Sequence, residues 1–590
     1  MSRRACYPRP DFRREIWMSL NGAWRFSFGD EEKDRMDQPP TLSQMPLTIE
    51  VPYVYQSELS GIGQTEAHDV VWYGKTFRLP DCFDARTHLI FGAVDWHCDL
   101  FVNGRYAGSH DGGYTPFRTD ITPFLRADGE QELILRVEDT LRCDQLRGKQ
   151  SWEEEPSRCW YTPSTGIWQS VWLERVPDNP IQSIHITPNL PQSEIRCEIS
   201  LNKPPKKDGQ FKIDVQYQGH PVAALTCKTK QMNVDLSVPI QPEDYIDEIH
   251  YWTPEHPNLY DVTVSYASDG QTDQVFTYFG FRDVCTRDGK TLLNHRPIYQ
   301  RLILHQGYYD GGLLTADTDE RYRTDLQTIK DMGFNGVRMH QKIEDPLFYY
   351  WADKIGLLVW GELPSCYEFS ELAMRRSFES MREFIQRDYN HPSIVCWVPL
   401  NESWGVRNIE QNAAQQRYAV SLYHFIKAMD ATRWVSTNDG WEQVTTDFCT
   451  LHDYSFDGKA LSSRWDDLDA LLQSAAQDRM IFASGYQYTG QPILLTEFGG
   501  VAFKTNQSEK DWGYCAIEKN EASYIRRLTS LFSYIKTNRR IQGYCYTQFT
   551  DVMQETNGLL SIRREPKIAI DVIRAILFGT DDSGPLSPVP

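Results

Sequence analysis

The sequence predicts three domains in series: two β-sandwiches followed by a (β/α)8 barrel. Three observations predict it. Over residues 1–178 short alternating runs recur between turn signals, residues 179–284 repeat that pattern, and over 285–590 short apolar strands alternate with helical segments and number eight. A chain of 590 residues also exceeds what one hydrophobic core normally holds.

In the first domain the runs are Trp24-Arg-Phe-Ser-Phe28, Val71-Trp-Tyr73, His88-Leu-Ile-Phe91, Asp99-Leu-Phe-Val102, Glu132 to Val137 and Val171-Trp-Leu173. Asn103-Gly104, Asp111-Gly-Gly113 and Asp128-Gly129 punctuate them, and Asn103-Gly104 between two apolar runs predicts a hairpin. The even spacing of short strands fits a sandwich or jelly roll. Prolines at 177, 180, 188 and 191 mark the passage to the second domain, whose strands (Glu194 to Ser200, Phe211 to Val215, Tyr260 to Val264, Val275 to Tyr278) fit an immunoglobulin-like sandwich lacking its disulfide. It reads as a spacer.

The third domain predicts a helix over Arg323 to Met332 closed by Gly333, then a strand from Asn335 to Arg338. A second helix over Phe348 to Ile355 ends at Gly356, and Leu357-Leu-Val-Trp360 follows as a strand. Further strands are expected at Tyr299 to Leu304, Ile394 to Leu400, Trp434 to Thr437, Cys449 to His452, Ile493 to Thr496 and Gln542 to Tyr546, which completes a (β/α)8 TIM barrel. On that reading polar residues gather at the strand ends: Arg338, Glu362, Asn401, Glu402, Asn438, Asp439, His452, Tyr454, Glu497, Gln548 and Asp551. Catalytic residues collect at this rim in barrel enzymes.

Two of these ends decide the expected chemistry. The apolar run Ile394 to Leu400 breaks into Asn401-Glu402, and Ile493-Leu-Leu-Thr496 breaks into Glu497-Phe-Gly-Gly500. Two carboxylates at the C-terminal ends of parallel barrel strands face one pocket, the arrangement that acid/base and nucleophilic work on a glycosidic bond requires.

Composition excludes other classes. A formal charge of −20 and a pI of about 5.2 argue against nucleic acid or an anionic membrane as partner. The 13 cysteines include no Cys-x-x-Cys pair, so neither a disulfide framework nor a zinc knuckle is signalled. His305, His340 and His452 stand isolated, so no catalytic metal is expected, and nothing calls for a cofactor. No secretory leader or 18-residue apolar window occurs, and the expectation is a cytoplasmic protein; homo-oligomerisation is left open.

Motifs along nearly the whole chain resemble those of the family 2 glycoside hydrolases, the group of β-galactosidases, β-glucuronidases and β-mannosidases. Leu20-Asn-Gly-Ala-Trp24, Trp72-Tyr73, Val94-Asp95, Asn103-Gly104, Gly113-Tyr-Thr-Pro-Phe117, Gly166-Ile-Trp168 and Val171-Trp-Leu173 are similar to that family's jelly-roll sugar-binding domain. Tyr278-Phe-Gly-Phe-Arg282 resembles its passage into the barrel. Asn401-Glu402 matches its acid/base motif, and Thr496-Glu497-Phe-Gly499 its nucleophile motif. The resemblance implies an exo-acting retaining glycosidase with a carbohydrate substrate, Glu402 as general acid/base and Glu497 as nucleophile.

Around that pair, Asn401 is expected to donate to a sugar 2-hydroxyl, Arg338 and Tyr454 to hold the Glu497 carboxylate, and Glu362, His340, His452, Trp441 and Gln548 to line the pocket. Two departures bear on the sugar. The chain reads Arg338-Met-His340, placing the histidine one position away from that of many relatives, and Thr547 stands where β-galactosidases and β-glucuronidases carry a tryptophan under the sugar ring. The stretch Gln554-Glu-Thr-Asn557 also lacks the Asn-x-Lys that reads a glucuronide carboxylate, which disfavours glucuronides because an unpaired buried carboxylate is costly. Neutral β-galactosides are therefore expected first, with pentosides or furanosides as the rival. An inactive carbohydrate-binding protein is the alternative outside enzymes.

Overall fold

The computed structural model describes residues 4–29, 39–127, 129–153, 155–206, 209–240, 249–473, 475–476, 479–504, 511–514 and 517–579. Asp128 of the expected turn and Cys515 lie outside them.

The first domain stacks two antiparallel sheets. One runs, in spatial order, Leu47–Val51, Gly22–Phe28, Val70–Arg78, Glu130–Glu138, His97–Val102 and Arg105–Asp111; the other runs Trp17–Ser19, Val171–Val176, Arg86–Phe91 and Phe117–Asp120. Alternation puts Val71, Tyr73, Leu133 and Leu135 of the first against Leu89, Phe91, Val171 and Leu173 of the second in one buried core. Asn103 (φ 52°) and Gly104 (φ 76°) make the expected hairpin, both with the positive φ that a tight primed turn needs.

The second domain is a three-stranded sheet against a four-stranded one, with Cys197 free in its core. It does more than space its neighbours. At its exit Arg282 donates to the carbonyls of Pro392 (3.1 Å), Thr432 (2.9 Å) and Ile394 (2.8 Å), clamping the base of the barrel. Gly280 lets the chain come that close: a Cβ there would meet Trp252 Cβ at 2.8 Å and Pro392 Cβ at 3.0 Å.

The barrel strands are β1 (Gln300–His305), β2 (Gly336–Met339), β3 (Leu358–Glu362), β4 (Ile394–Val398), β5 (Trp434–Val435), β6 (Cys449–Asp453), β7 (Ile493–Gly499) and β8 (Ile541–Thr547). All pair parallel, in the order β5-β4-β3-β2-β1-β8-β7-β6. β5 and β6 share no ladder; instead the Gln443 amide bonds the backbone of Thr450 in both directions, Nε2 to O at 2.6 Å and N to Oε1 at 3.1 Å. β5 is shorter than expected because the chain turns at Ser436, whose hydroxyl donates to Asp439 Oδ1 (3.0 Å). The first barrel helix, Asp319–Asp331, begins a turn earlier than expected: Asp319 and Glu320 suit a helix N-terminus but lie ahead of the apolar repeat at Tyr322, Leu326 and Ile329.

One feature of the first domain had no counterpart in the sequence pattern. Its segment 139–165 lies across the C-terminal rim of the barrel, where the Arg147 and Gly148 amides donate to Ser365 O (3.0 and 3.1 Å), Tyr367 N donates to Cys143 O (2.8 Å), and Gln554 Nε2 donates to Trp160 O (2.9 Å). Gly148 sits at φ 57°, where a Cβ would lie 2.3 Å from Gln341 O, so only glycine fits.

Candidate active site

Arg338, at the end of β2, is fully buried and organises the rim. Its Nε donates to Glu362 Oε2 (2.7 Å), Nη1 lies 2.7 Å from Asp439 Oδ2 and 3.0 Å from Glu497 Oε1, and Nη2 donates to Asn401 Oδ1 (2.7 Å). Burying a lone guanidinium would be prohibitive, so the carboxylates and the cation hold one another charged. Burial works against ionisation of each acid, yet the Arg338 charge takes Glu362 down to about 2 and Asp439 well below the carboxylate range. Glu497 is lowered too, first by His452 and then by Arg338.

Glu497 projects from β7 itself. Its Oε2 accepts from the Tyr454 hydroxyl at 2.5 Å, and that hydroxyl lies 3.3 Å from Thr547 Oγ1. Tyr454 is fixed by Tyr514, stacked on it at 3.9 Å and 3°. Glu402 follows β4 in a left-handed conformation (φ 51°), as does Ser403 (φ 56°). The rim of β5 imposes it: Glu402 N donates to Asp439 O (2.9 Å), Ser403 N to Asn438 Oδ1 (3.0 Å) and Ser403 Oγ to Glu442 Oε2 (2.6 Å). The Glu402 side chain is 17 % exposed against 4 % for Glu497, so one carboxylate faces the opening and the other the floor.

His452 joins them. Its Nδ1 lies 2.7 Å from Glu402 Oε1 and 3.6 Å from Glu497 Oε1, and its Nε2 3.0 Å from Asp439 Oδ2. Burial pushes the imidazole down, but these carboxylates, Glu497 foremost, outweigh it and raise its pKa to about 10. The trio Glu402, His452 and Glu497 has metal-ligand spacing, with one ligand atom of each within 4.8 Å of the others. His452 links the trio into one charged network: its Nδ1 faces the carboxyls of Glu402 and Glu497 and its Nε2 that of Asp439. With the folded pKa above the ordinary 6.5, the stabilisation is fully present below about pH 6.5 and is lost as pH rises through about 10. The melting temperature of the wild type is therefore expected to fall more steeply than that of His452→Gln between about pH 8 and about pH 10.5; parallel curves in scanning calorimetry would refute the network.

The remaining expected pocket residues sit close by. Asn401 has its oxygen fixed by Arg338 while its Nδ2 donor has no partner among the described residues, and the same holds for the buried Gln548 Nε2 and Trp441 Nε1. Trp441 packs its ring 5.6 Å from that of His452. Gln548 Oε1 accepts from Gln306 (2.7 Å). His340 lies 3.2 Å from Glu362 Oε1, with its ring 6.1 Å from that of Trp404. Glu362 has no exposed surface and also accepts from Gln341 Nε2 (2.5 Å), so it buttresses Arg338 instead of lining the pocket. Asp551, read as a rim residue, is drawn aside to Lys567 Nζ (2.7 Å).

With this geometry the comparisons agree. Residues 17–177 match the family model for the glycosyl hydrolases family 2 sugar binding domain, residues 179–282 that for glycosyl hydrolases family 2, and residues 284–575 that for the family's TIM barrel domain. The chain belongs to glycosyl hydrolase family 2. Among curated family 2 relatives, a putative β-glucuronidase of Formosa agariphila is 29% identical over 350 residues, covering 58% of this chain and 40% of its own length. A β-galactosidase of Thermoanaerobacter pseudethanolicus is 28% identical over 396 residues, 65% of this chain and 50% of its own. The chain thus spans about half the length of these relatives. Among solved structures, a Ruminococcus gnavus β-glucuronidase in complex with D-glucuronic acid aligns with a TM-score of 0.77 at 18% identity, over 96% of this chain and 98% of that one. A family 2 β-galacturonidase of Eisenbergiella tayi bound to galacturonate aligns with a TM-score of 0.75 at 20% identity, over 97% and 98%. These last two establish likeness of fold.

The candidate site also includes residues that the sequence did not single out for the pocket. Asp439 was visible as a strand end, and Trp404 follows Glu402 by two positions. Lys149, Trp160 and Tyr514 carried no signal, because loops from elsewhere bring them in. Lys149, on segment 139–165, is 2 % exposed, makes no ion pair among the described residues, and lies 5.6 and 5.3 Å from the ring centres of Tyr161 and Trp404. Burial works against its charge, but the Cys159 sulfur and the carboxylates of Glu555, Glu497 and Glu402 keep the ammonium above the ordinary lysine range.

Proposed function

We propose that the chain is an exo-acting retaining glycosidase that removes a terminal non-reducing sugar by double displacement. The observation that carries this reading is that an oxygen of the Glu402 carboxyl and one of Glu497 lie within 4.8 Å of each other. Retaining enzymes keep the two carboxyls about 5 to 5.5 Å apart, whereas inverting ones leave about 6.5 to 9.5 Å for a water. In the first step Glu497, held ionised by His452, Arg338 and Tyr454, forms a bond to the anomeric carbon as the glycosidic C–O bond breaks, and the departing oxygen takes a proton from Glu402, whose Oε1 lies 2.7 Å from the proton-bearing His452 Nδ1. In the second, Glu402 takes a proton from water, whose oxygen displaces Glu497. Asn401 Nδ2 is the donor for the sugar 2-hydroxyl.

Two readings of the sugar stand side by side. A neutral β-galactoside follows from the missing Asn-x-Lys and agrees with the named activity of the Thermoanaerobacter relative. A uronide agrees with that of the Formosa relative, and one observation favours it: the buried Lys149 ammonium, which makes no ion pair among the described residues, supplies a cation beside Trp404. The sequence argument against an unpaired carboxylate does not hold where a second domain delivers its counter-charge. A panel of nitrophenyl β-galactoside, β-glucuronide, β-galacturonide and α-arabinofuranoside decides. The expected result is highest kcat/KM on a uronide, with Lys149→Gln lowering it about 10- to 100-fold more than on the galactoside. A wild type that prefers the galactoside, with Lys149→Gln affecting both alike, restores the neutral reading.

A further inference from the structure

Two residues after Glu402, at Trp404, the chain joins an aromatic wall that the two-step chemistry leaves unused. Trp404 carries it out of the barrel, with its ring 5.9 Å from that of Trp160 and 5.5 Å from that of Tyr367. Trp152 closes the group, 5.3 Å from Trp160 and 4.2 Å from Tyr367. Two of the four rings come from the first domain and two from the barrel. They are rigidly held: Trp160 Nε1 donates to the Tyr367 hydroxyl (2.8 Å), and that hydroxyl donates to Gly148 O.

Were the cluster only glue between domains, its indoles would be buried. Instead Trp152, Trp160 and Trp404 are all partly exposed, together, at a catalytic opening. The first-domain side carries a half-open pocket of about 310 Å³ lined by Ser151, Trp152, Glu153, Ser157, Arg158 and Trp160. An apolar cavity of about 150 Å³ already holds benzene, so this one has room for a ring and its substituents. Its polar rim of Ser151, Glu153, Ser157 and Arg158 suits hydroxyls at the edge of such a ring.

Direction fixes what lies there. A general acid must reach the glycosidic oxygen, so the surface next to Glu402 and away from Glu497 receives the leaving group, not the sugar being transferred. Trp404 is two residues beyond Glu402, is partly exposed as Glu402 is, and is the wall's nearest member to it along the chain. We propose that Trp152, Trp160, Tyr367 and Trp404 form the leaving-group subsite, and that it takes leaving groups with a flat apolar face, whether an aryl ring or the carbon-lined face of a second pyranose. The proposal rests on Glu402 being the acid/base.

The test compares substrates of one sugar, the one found by the nitrophenyl panel, with different leaving groups: the glycosyl fluoride, whose leaving group has no ring, an aryl glycoside and a disaccharide. In full-length Trp160→Ala, the ratio of kcat/KM for a ring-bearing substrate to kcat/KM for the fluoride is expected to fall about tenfold, mainly through KM, with Trp160→Phe restoring most of it. A fall confined to the aryl glycoside or to the disaccharide supports the subsite and names its occupant. An unchanged ratio for both overturns it, since a merely structural tryptophan would lower all three substrates together. Trp152→Ala is the second variant should Trp160→Ala fail to fold. Loss of fluoride turnover in Glu497→Ala tests the glycosidase reading by itself, so the two failures are distinct.

Discussion

Glu497→Ala is expected to lower kcat/KM on every glycoside by about 10⁴-fold or more, because it removes the atom that bonds to the anomeric carbon. The surroundings predict that the protein survives the change. Arg338 keeps Glu362 at 2.7 Å and Asp439 at 2.7 Å, so its charge stays compensated, and the Tyr454 hydroxyl keeps Thr547 Oγ1 at 3.3 Å. The space left by the carboxylate lies under the anomeric carbon and admits a small anion. Azide is therefore expected to restore part of the turnover and to yield a glycosyl azide of inverted configuration, since one displacement replaces two. Full activity without azide, or a rescued product of retained configuration, would remove Glu497 from the nucleophile's role.

Glu402→Gln should separate substrates by leaving group. Proton donation matters most when the departing oxygen is basic, so alkyl glycosides and disaccharides are expected to lose about 10²- to 10⁴-fold in kcat/KM while aryl glycosides with acidic phenols lose far less. The amide keeps an oxygen for His452 Nδ1, now 2.7 Å from Glu402 Oε1, and Asp439 still faces Nε2 at 3.0 Å, so the imidazole ring keeps its place. Without the base, the second step slows. An activated aryl substrate should then give a burst of phenol as the glycosyl-enzyme accumulates, and azide should release it with retained configuration. Equal losses on both substrate types, with no burst, would show that Glu402 serves the fold and not the proton.

The sequence by itself determined most of the elements and pointed to the carboxylates Glu402 and Glu497. Period-two runs and Asn103-Gly104 specify sandwich strands and their hairpin because alternation and a positive-φ turn are local properties. β4 and β7 are legible because each opens as a short apolar run, buried on both faces, that breaks where polarity returns; Glu402 follows the first and Glu497 lies within the second. What a strand-end pattern does not contain is which ends meet. Only the closed order of the sheet brings Arg338 onto three carboxylates, and only the turn at β5 holds Glu402 at φ 51°. Least legible of all was the contribution of the first domain. Lys149 and Trp160 read as ordinary loop residues, and their place at the opening depends on Gly148 passing so close to Gln341 O that a Cβ would sit 2.3 Å away. Charge and stacking act through space, at 5.3 Å from Lys149 to the Trp404 ring and 5.9 Å between Trp160 and Trp404, across sequence separations that no local pattern spans. The two carboxylates proposed to react were therefore written in the strand pattern, while the residues proposed to meet the substrate's charge and its leaving group were placed by how two domains dock.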